Sequence, residues 1–269
     1  MLLAIDIGNS NTVIGLFPLG EKACGKPIDS FRTETHRKMT ADEWGVLIQS
    51  LLSHSPSRSM EIKSLICSSV VPSLNQVIAE MAEKYFHSPV LFVSHRSDTG
   101  LVFKYPNPSE IGADRIVNAV AVDVIYGGPA LIVDFGTATT YCALSKGHEY
   151  LGGVIAPGLS TSMEALTAKS AKLPSIDLER PESLLGKSTV HAMRSGIYFG
   201  AIYALEGFIS QLREELSFED AQVIVTGGFS QLIRSGTEAI DFVDPQLTLK
   251  GLEILYYKNS FSQTGQDLP

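Results

Sequence analysis

Leu3-Ala4-Ile5-Asp6-Ile7-Gly8-Asn9-Ser10-Asn11-Thr12-Val13-Ile14-Gly15-Leu16 lies near the start of the chain, and a stretch of the same build lies near its middle: Leu131-Ile132-Val133-Asp134-Phe135-Gly136-Thr137-Ala138-Thr139-Thr140-Tyr141-Cys142-Ala143-Leu144. Each is an apolar strand, an Asp, one apolar residue, a Gly, a polar cluster ending in Thr, and a second apolar stretch. Without gaps, Asp6 falls on Asp134, Gly8 on Gly136 and Thr12 on Thr140. The pattern predicts strand, tight glycine turn, strand, which is a β-hairpin. A single copy is explained well enough as a structural turn, with Asp and Gly suited to its backbone. Two copies ask for more. Facing each other, they would surround one cleft with backbone N–H groups, hydroxyls and two carboxylates, the groups that a triphosphate and a divalent cation need.

A weaker echo supports duplication. Leu65-Ile66-Cys67-Ser68-Ser69-Val70 leads through Pro72 into a helical pattern at 73–86, and Val223-Ile224-Val225-Thr226-Gly227-Gly228 leads into one at 230–235. Each half then reads as a hairpin, a third strand, a helix, and a buried strand running into another helix. Thr40-Ala41-Asp42-Glu43 has the pattern of a capping box ahead of a helix near 41–54. Short strands and helices alternate throughout, so the class is α/β.

With 44% hydrophobic and 19% charged residues the chain is globular in composition, and its net charge of -8 argues against a partner held through nucleic-acid phosphates. Asp6 interrupts the short apolar run at the N-terminus, and no uncharged apolar stretch approaches ~18 residues, so neither a signal peptide nor a membrane span is expected. Cys24, Cys67 and Cys142 form no CxxC, and the six histidines show no metal-ligand spacing. A soluble cytoplasmic protein is the expectation. Serine-hydrolase chemistry lacks its G-x-S-x-G elbow. Gly186-Lys187-Ser188 is no P-loop, because Pro181 stands where the first glycine is required. The Gly/Thr surroundings of Asp6 and Asp134 suit phosphate better than glycoside hydrolysis.

Between the halves runs Tyr105-Pro106-Asn107-Pro108-Ser109-Glu110-Ile111-Gly112-Ala113-Asp114-Arg115. Two prolines make its first part extended, and Ser109 is expected to cap the helix that follows. Asp114 and Arg115 in its first turns have two readings. One is a helix-start carboxylate beside a surface ion pair. The other is a general base beside an Arg whose planar fork fixes an anionic substrate. Farther on, Tyr150–Leu159 reads as a strand that turns at Pro157-Gly158 into a helix. A helix over about 190–215 carries Gly196, Gly200, Ala201, Ala204 and Gly207, which would permit close approach of another helix.

The paired hairpins resemble the acetate/sugar kinase, Hsp70 and actin superfamily, whose two ribonuclease-H-like (actin/hexokinase-type) halves hold ATP in an interdomain cleft. That resemblance implies halves at 1–112 and 113–269. Residues 6–12 match the first phosphate motif, 134–140 the second, and Thr226-Gly227-Gly228 the adenosine motif. The order Y-x-N-P-x-x-x-G-x-D-R followed by D-x-G-T-A-x-T is similar to type III pantothenate kinase, and the matching elements span most of the chain. The resemblance implies ATP-dependent phosphorylation of pantothenate to 4'-phosphopantothenate, the first step of coenzyme A biosynthesis. It implies ATP held by Asp6, Ile7, Gly8, Asn9, Ser10, Asn11, Thr12, Val13 and Thr137, with Mg²⁺ oriented by Asp6 through water. Pantothenate falls to Tyr105, Gly112, Ala113, Asp114, Arg115 and Thr189, with Asp114 as base. A monovalent cation, K⁺ or NH₄⁺, falls to Asp134, and the glycine-bearing helix falls in a homodimer region. Other readings stay open: another small-molecule kinase of this superfamily, a non-catalytic transcription accessory factor of this fold, or a filament or chaperone ATPase, for whose added domains the chain has little room.

Overall fold

The structure, a computed structural model, describes residues 1–20, 23, 25–55, 60–170 and 172–262. Cys24 lies outside the described residues. Chain contacts divide the protein into two compact units. The first gathers Met1–Leu101, Pro106–Ile125 and the stretch from Gln246 onward; the second holds Val102–Tyr105 and Tyr126–Pro245.

In the first unit, β1 (Leu2–Ile7), β2 (Asn11–Phe17) and β3 (Asp29–Glu34) form an antiparallel meander. Next to β1 lie β4 (Ser64–Ser69) and then β5 (Val90–Phe92), both parallel, giving the order β3-β2-β1-β4-β5. Side chains alternate across the sheet. Leu3, Ile5 and Ile7 join one buried cluster with Trp44 and Ile48 of α1 (Ala41–Ser53) and Leu74 and Ile78 of α2 (Pro72–Phe86). Leu2, Ala4 and Asp6 point the other way. The sheet also packs against α3 (Ala113–Ile125) and the C-terminal helix α7 (Leu247–Ser262). Those two helices cross closely at Gly251, where a Cβ would come within 2.7 Å of Val117 Cγ1.

The expected boundary between 112 and 113 does not coincide with this division. The reason is the packing of α3 on α7 and β4, which keeps the helix that begins at Ala113 in the first unit. The expected capping box is formed: Thr40 Oγ1 accepts from Glu43 N at 3.3 Å, and Glu43 Oε2 accepts from Thr40 N at 2.7 Å. Ser109, by contrast, does not cap α3. It sits in a 3-10 turn, Pro108–Glu110, whose own cap is Asn107.

The second unit repeats the first. An antiparallel meander, β7 (Ala130–Phe135), β8 (Ala138–Leu144) and β9 (Glu149–Pro157), is continued on the β7 side by parallel β10 (Gln222–Gly227) and β11 (Phe242–Val243). A short extra strand, β6 (Val102–Phe103), runs parallel to β9 at the far edge. The order β9-β8-β7-β10-β11 thus reproduces β3-β2-β1-β4-β5. Burial agrees residue for residue along both hairpins. The protein is a duplicated pair of ribonuclease-H-like halves.

Leu131, Val133 and Phe135 pack with Tyr198, Ile202 and Leu205 of the long helix α5 (Thr189–Leu216). Two shorter helices, α4 (Leu159–Lys169) and α6 (Ser230–Arg234), complete the unit. The polar stretch between α4 and α5 carries no regular structure over 173–180 yet is tied down. Arg194 Nε donates to the Asp177 carbonyl at 2.8 Å, Arg180 Nη1 donates to the Ser235 carbonyl at 2.5 Å, and Ile176 and Leu178 pack on the core. Among the described residues no helix is long and apolar enough to cross a membrane.

One detail of the repeat differs from the gapless alignment. Asp6 pairs with Val13 and Ile7 with Thr12, whereas Asp134 pairs with Thr140 and Phe135 with Thr139. Thr12 therefore corresponds to Thr139, not Thr140. The first turn is Gly8-Asn9-Ser10 and the second only Gly136-Thr137, so the register slips by one residue after the turn.

Candidate active site

In the first unit, the β1–β2 turn closes through Gly8 N donating to Asn11 O at 3.0 Å. A Cβ at Gly8 would stand 2.9 Å from that same oxygen, so a side chain there would push the turn open. Asn9 and Ser10 are exposed at its tip. Ile7 and Thr12 are fully buried, and the Thr12 hydroxyl lies 2.9 Å from Thr35 Oγ1. Their side chains hold the turn in place from within the unit. Asp6 is partly exposed on the sheet face opposite Ile5 and Ile7, and Ser68 Oγ donates to its Oδ1.

Cys67 and Cys142 are buried thiols. Burial, and then the Asp6 charge, pushes the Cys67 thiol well up, so it stays protonated and inert.

Gly112, Ala113, Asp114 and Arg115 form the start of α3 in this same unit. The Gly112 carbonyl accepts from Arg115 N at 3.1 Å and from Ile116 N at 3.2 Å, which sets the first turn. Asp114 Oδ1 accepts from Arg115 N at 2.7 Å. A Cβ at Gly112 would stand 2.5 Å from Asp114 Oδ1, so the glycine leaves that carboxylate its place. Burial pushes the Asp114 carboxyl above the usual range, opposed by the Arg115 N–H and the Arg115 charge. Arg115 itself is buried, at 7% exposure. A surface ion pair does not describe it.

The second unit holds the rest. Asp134 is flanked in register by Thr140 on β8 and Thr226 on β10, so both hydroxyls stand on its face of the sheet. Thr137 is exposed at the shorter turn, and its carbonyl accepts from Gly158 N at 3.1 Å and Thr161 Oγ1 at 2.6 Å. Those two supports at the start of α4 escaped the sequence reading, although the Pro157-Gly158 turn that brings them was legible. Tyr105 lies with Tyr150, ring centroids 6.5 Å apart, and close over Gly152. Thr189 is exposed at the first position of α5, just after the cap Ser188, which accepts from His191 N at 3.2 Å.

The structure thus brings Gly112–Arg115 together with the first hairpin in one unit, and Tyr105, Asp134, Thr137 and Thr189 in the other. The motif that reads continuously from Tyr105 to Arg115 is divided between them. A cavity of about 670 Å³ in the first unit, lined by Met1, Gln49, Lys63 and His87 among others, contains none of these residues.

The family model described as type III pantothenate kinase matches residues 2–211. A type III pantothenate kinase from Bacillus cytotoxicus is 47% identical over 263 residues, 98% of either chain. The chain belongs to the type III pantothenate kinase family.

Among solved structures, a protein assigned to the Baf family of transcriptional activators, from Campylobacter jejuni, superposes with a TM-score of 0.60 at 18% identity, over 96% of this chain and 99% of that one. A protein assigned as a 2-dehydro-3-deoxygalactonokinase, from Sinorhizobium meliloti, gives a TM-score of 0.58 at 12% identity, over 100% and 98%. At such identities the two likenesses establish the fold alone. Activity follows from membership of the family, and Asp6, Asp114, Arg115 and Asp134 stand on β1, α3 and β7 of this pantothenate kinase family member.

Proposed function

We propose that the chain transfers the γ-phosphate of ATP to the hydroxyl of pantothenate, giving 4'-phosphopantothenate for coenzyme A biosynthesis in the cytoplasm. The full-length likeness to a type III pantothenate kinase carries this reading, and the intact motif residues support it. Pantothenate presents a carboxylate, an amide and hydroxyls. In this reading Arg115 takes the carboxylate, with Tyr105, Gly112, Ala113 and Thr189 completing the site. The Asp114 carboxylate accepts the hydroxyl proton as the oxygen bonds to the γ-phosphorus. The bond from that phosphorus to the β–γ bridging oxygen breaks, and ADP leaves. Backbone donors of residues 6–13 and of Thr137 hold the phosphates.

Asp6 is one partly exposed carboxylate, which suits Mg²⁺ held mostly through its own water. Asp134 with the Thr140 and Thr226 hydroxyls offers oxygens of the kind that suit K⁺ or NH₄⁺. ADP release measured with and without pantothenate tests the activity. Turnover indifferent to pantothenate, or none at all, removes the reading. Rates should also fall in Na⁺ alone and recover on adding K⁺ or NH₄⁺; equal rates in all three salts would end the monovalent-cation assignment.

A homodimer through α5 belongs to the same proposal. Gly196, Gly200, Tyr203 and Gly207 share one stripe of the helix, Tyr203 is 55% exposed, and a Cβ at any of the three glycines meets nothing within 4 Å. Gly→Ala in a helix of an isolated chain stabilises by about 1 kcal/mol. Gly200→Ala is therefore expected to raise monomer stability while weakening the dimer measured by sedimentation equilibrium. A wild-type chain that sediments as a monomer at micromolar concentration would count against the dimer.

A further inference from the structure

The turn assigned to the phosphates has no cation of its own. Gly8, Asn9, Ser10, Asn11 and Thr12 are neutral, Asp6 adds a negative charge beside them, and the whole chain stands at -8. Stabilising the charge of a transferring phosphoryl group needs positive charge close by. The structure places some immediately beside the turn, on the segment Thr35-His36-Arg37-Lys38 that follows β3. Because β3 pairs Asn11 with Glu34 and Thr12 with Thr33, this segment leaves the sheet level with the turn.

Thr35 fastens the two together. Its N–H donates to Ser10 O at 2.9 Å, and its hydroxyl donates to Gly8 O at 2.8 Å while lying 2.9 Å from the Thr12 hydroxyl. Two residues on, Arg37 Nη2 donates to the Asn9 side-chain oxygen at 2.8 Å, at the tip of the turn. His36, Arg37 and Lys38 are all exposed, beside a hollow of about 490 Å³ that they line with Thr35, Met39 and Glu43. Glu43, the carboxylate of this hollow, is engaged elsewhere: its Oε2 accepts from Thr40 N at 2.7 Å and Thr40 Oγ1 at 3.0 Å.

We infer that Arg37 binds the polyphosphate of ATP, supported by Lys38, and that Thr35 is the positioning residue that holds this cationic arm and the phosphate turn as one piece. The identity of the ligand rests on the kinase reading above. A guanidinium on a neutral amide oxygen makes weaker use of its planar fork than one on a phosphate, where the bonds are charge-assisted and bidentate. The arm is exposed and short, so exchanging Asn9 for a phosphate oxygen needs only a side-chain rotation.

Titration calorimetry on the full chain with Mg²⁺-ATP, and with adenosine as a probe lacking phosphates, tests this. Arg37→Ala should weaken ATP binding by about tenfold to a hundredfold, the loss of a hydrogen bond to a charged group, and leave adenosine unchanged. Arg37→Lys, keeping the charge without the fork, should fall between. In turnover the KM for ATP should rise with little change in the KM for pantothenate, which a merely structural role would not produce. Lys63→Ala serves as the control for net charge, since Lys63 precedes β4 at the end of the sheet away from the turn, about 20 Å along β1. Thr35→Val should lower ATP affinity and kcat together.

Wild-type ATP affinity in Arg37→Ala overturns the inference. Wild-type chain that binds ATP but releases no ADP with pantothenate overturns the kinase reading and leaves the Arg37 comparison standing. Wild-type chain that binds no ATP overturns both.

Discussion

Asp114→Asn is expected to lower pantothenate phosphorylation by about 10²–10⁴-fold, the usual cost of losing a general base. It should do so without weakening the fold at neutral or alkaline pH. Asn keeps the shape and an oxygen that can accept the Arg115 N–H, now at 2.7 Å from Asp114 Oδ1. What disappears is a carboxylate that burial holds in an unfavourable ionised form, since its pKa lies above the usual value with desolvation as the largest cause.

For a carboxyl raised on folding, the associated stability is complete below the unfolded pKa and is lost as pH rises through the folded pKa. Asp114→Asn should therefore match the wild type in acid and equal or exceed it above the folded pKa of Asp114. Urea unfolding of both proteins across pH 4–8 would show this crossover. The wild-type rate should rise with pH through the same raised pKa, and the residual rate of the variant should lack that limb. A variant within a few-fold of wild type would sink the base assignment. One that loses activity by unfolding at pH 8 would sink the account of the burial.

The features legible in advance were those written in short, local patterns. Asp6 and Asp134 sit one residue before the end of equivalent strands, because D-x-G both stops a strand and shapes the turn after it. Thr40 and Glu43 form their capping box from four consecutive residues. What stayed hidden depends on contacts distant in sequence. Hydrogen-bond register, not residue likeness, decides that Thr12 matches Thr139, and a turn shortened by one residue is invisible to a gapless comparison.

The first unit recruits α3 and α7 because Gly251 allows α7 to close on the Val117 backbone across about half the chain. Nothing local to residue 113 signals that. Thr35 reads as an ordinary strand-end residue, yet its hydroxyl reaches back to Gly8 and Thr12. Ser109 is the converse case. A local cap signal was present, but Asn107, which accepts from Ser109 N at 3.3 Å, ended the extended segment two residues earlier.

Gly227→Ala carries the largest expected effect on stability. Gly227 closes β10 with φ at +91°, in the region where an L side chain costs about 1–2 kcal/mol. Space is a second and separate obstacle: a Cβ would stand 2.6 Å from the N and O of Phe135 and 2.6 Å from Asp134 Oδ1. Two of these are backbone atoms of β7, paired in register with β10 through Phe135–Gly227 and Asp134–Thr226. Relief would require prising the two strands apart between their other neighbours, β8 and β11.

Together the two terms come to about 3–5 kcal/mol, at the upper end of single-site effects. For a protein of this size that is a fall of about 6–20 °C in Tm, readable by circular dichroism. The same Gly→Ala change at Gly20, where a Cβ meets nothing within 4 Å and φ is not in the left-handed region, should leave the chain about as stable, which isolates the local geometry as the cause. A Tm for Gly227→Ala within about 2 °C of wild type would contradict the close approach of β10 to Asp134. Where the variant does fold, the crowded Asp134 carboxylate should respond less to K⁺ than the wild type, because the atom that the new methyl displaces is the one proposed to hold the cation.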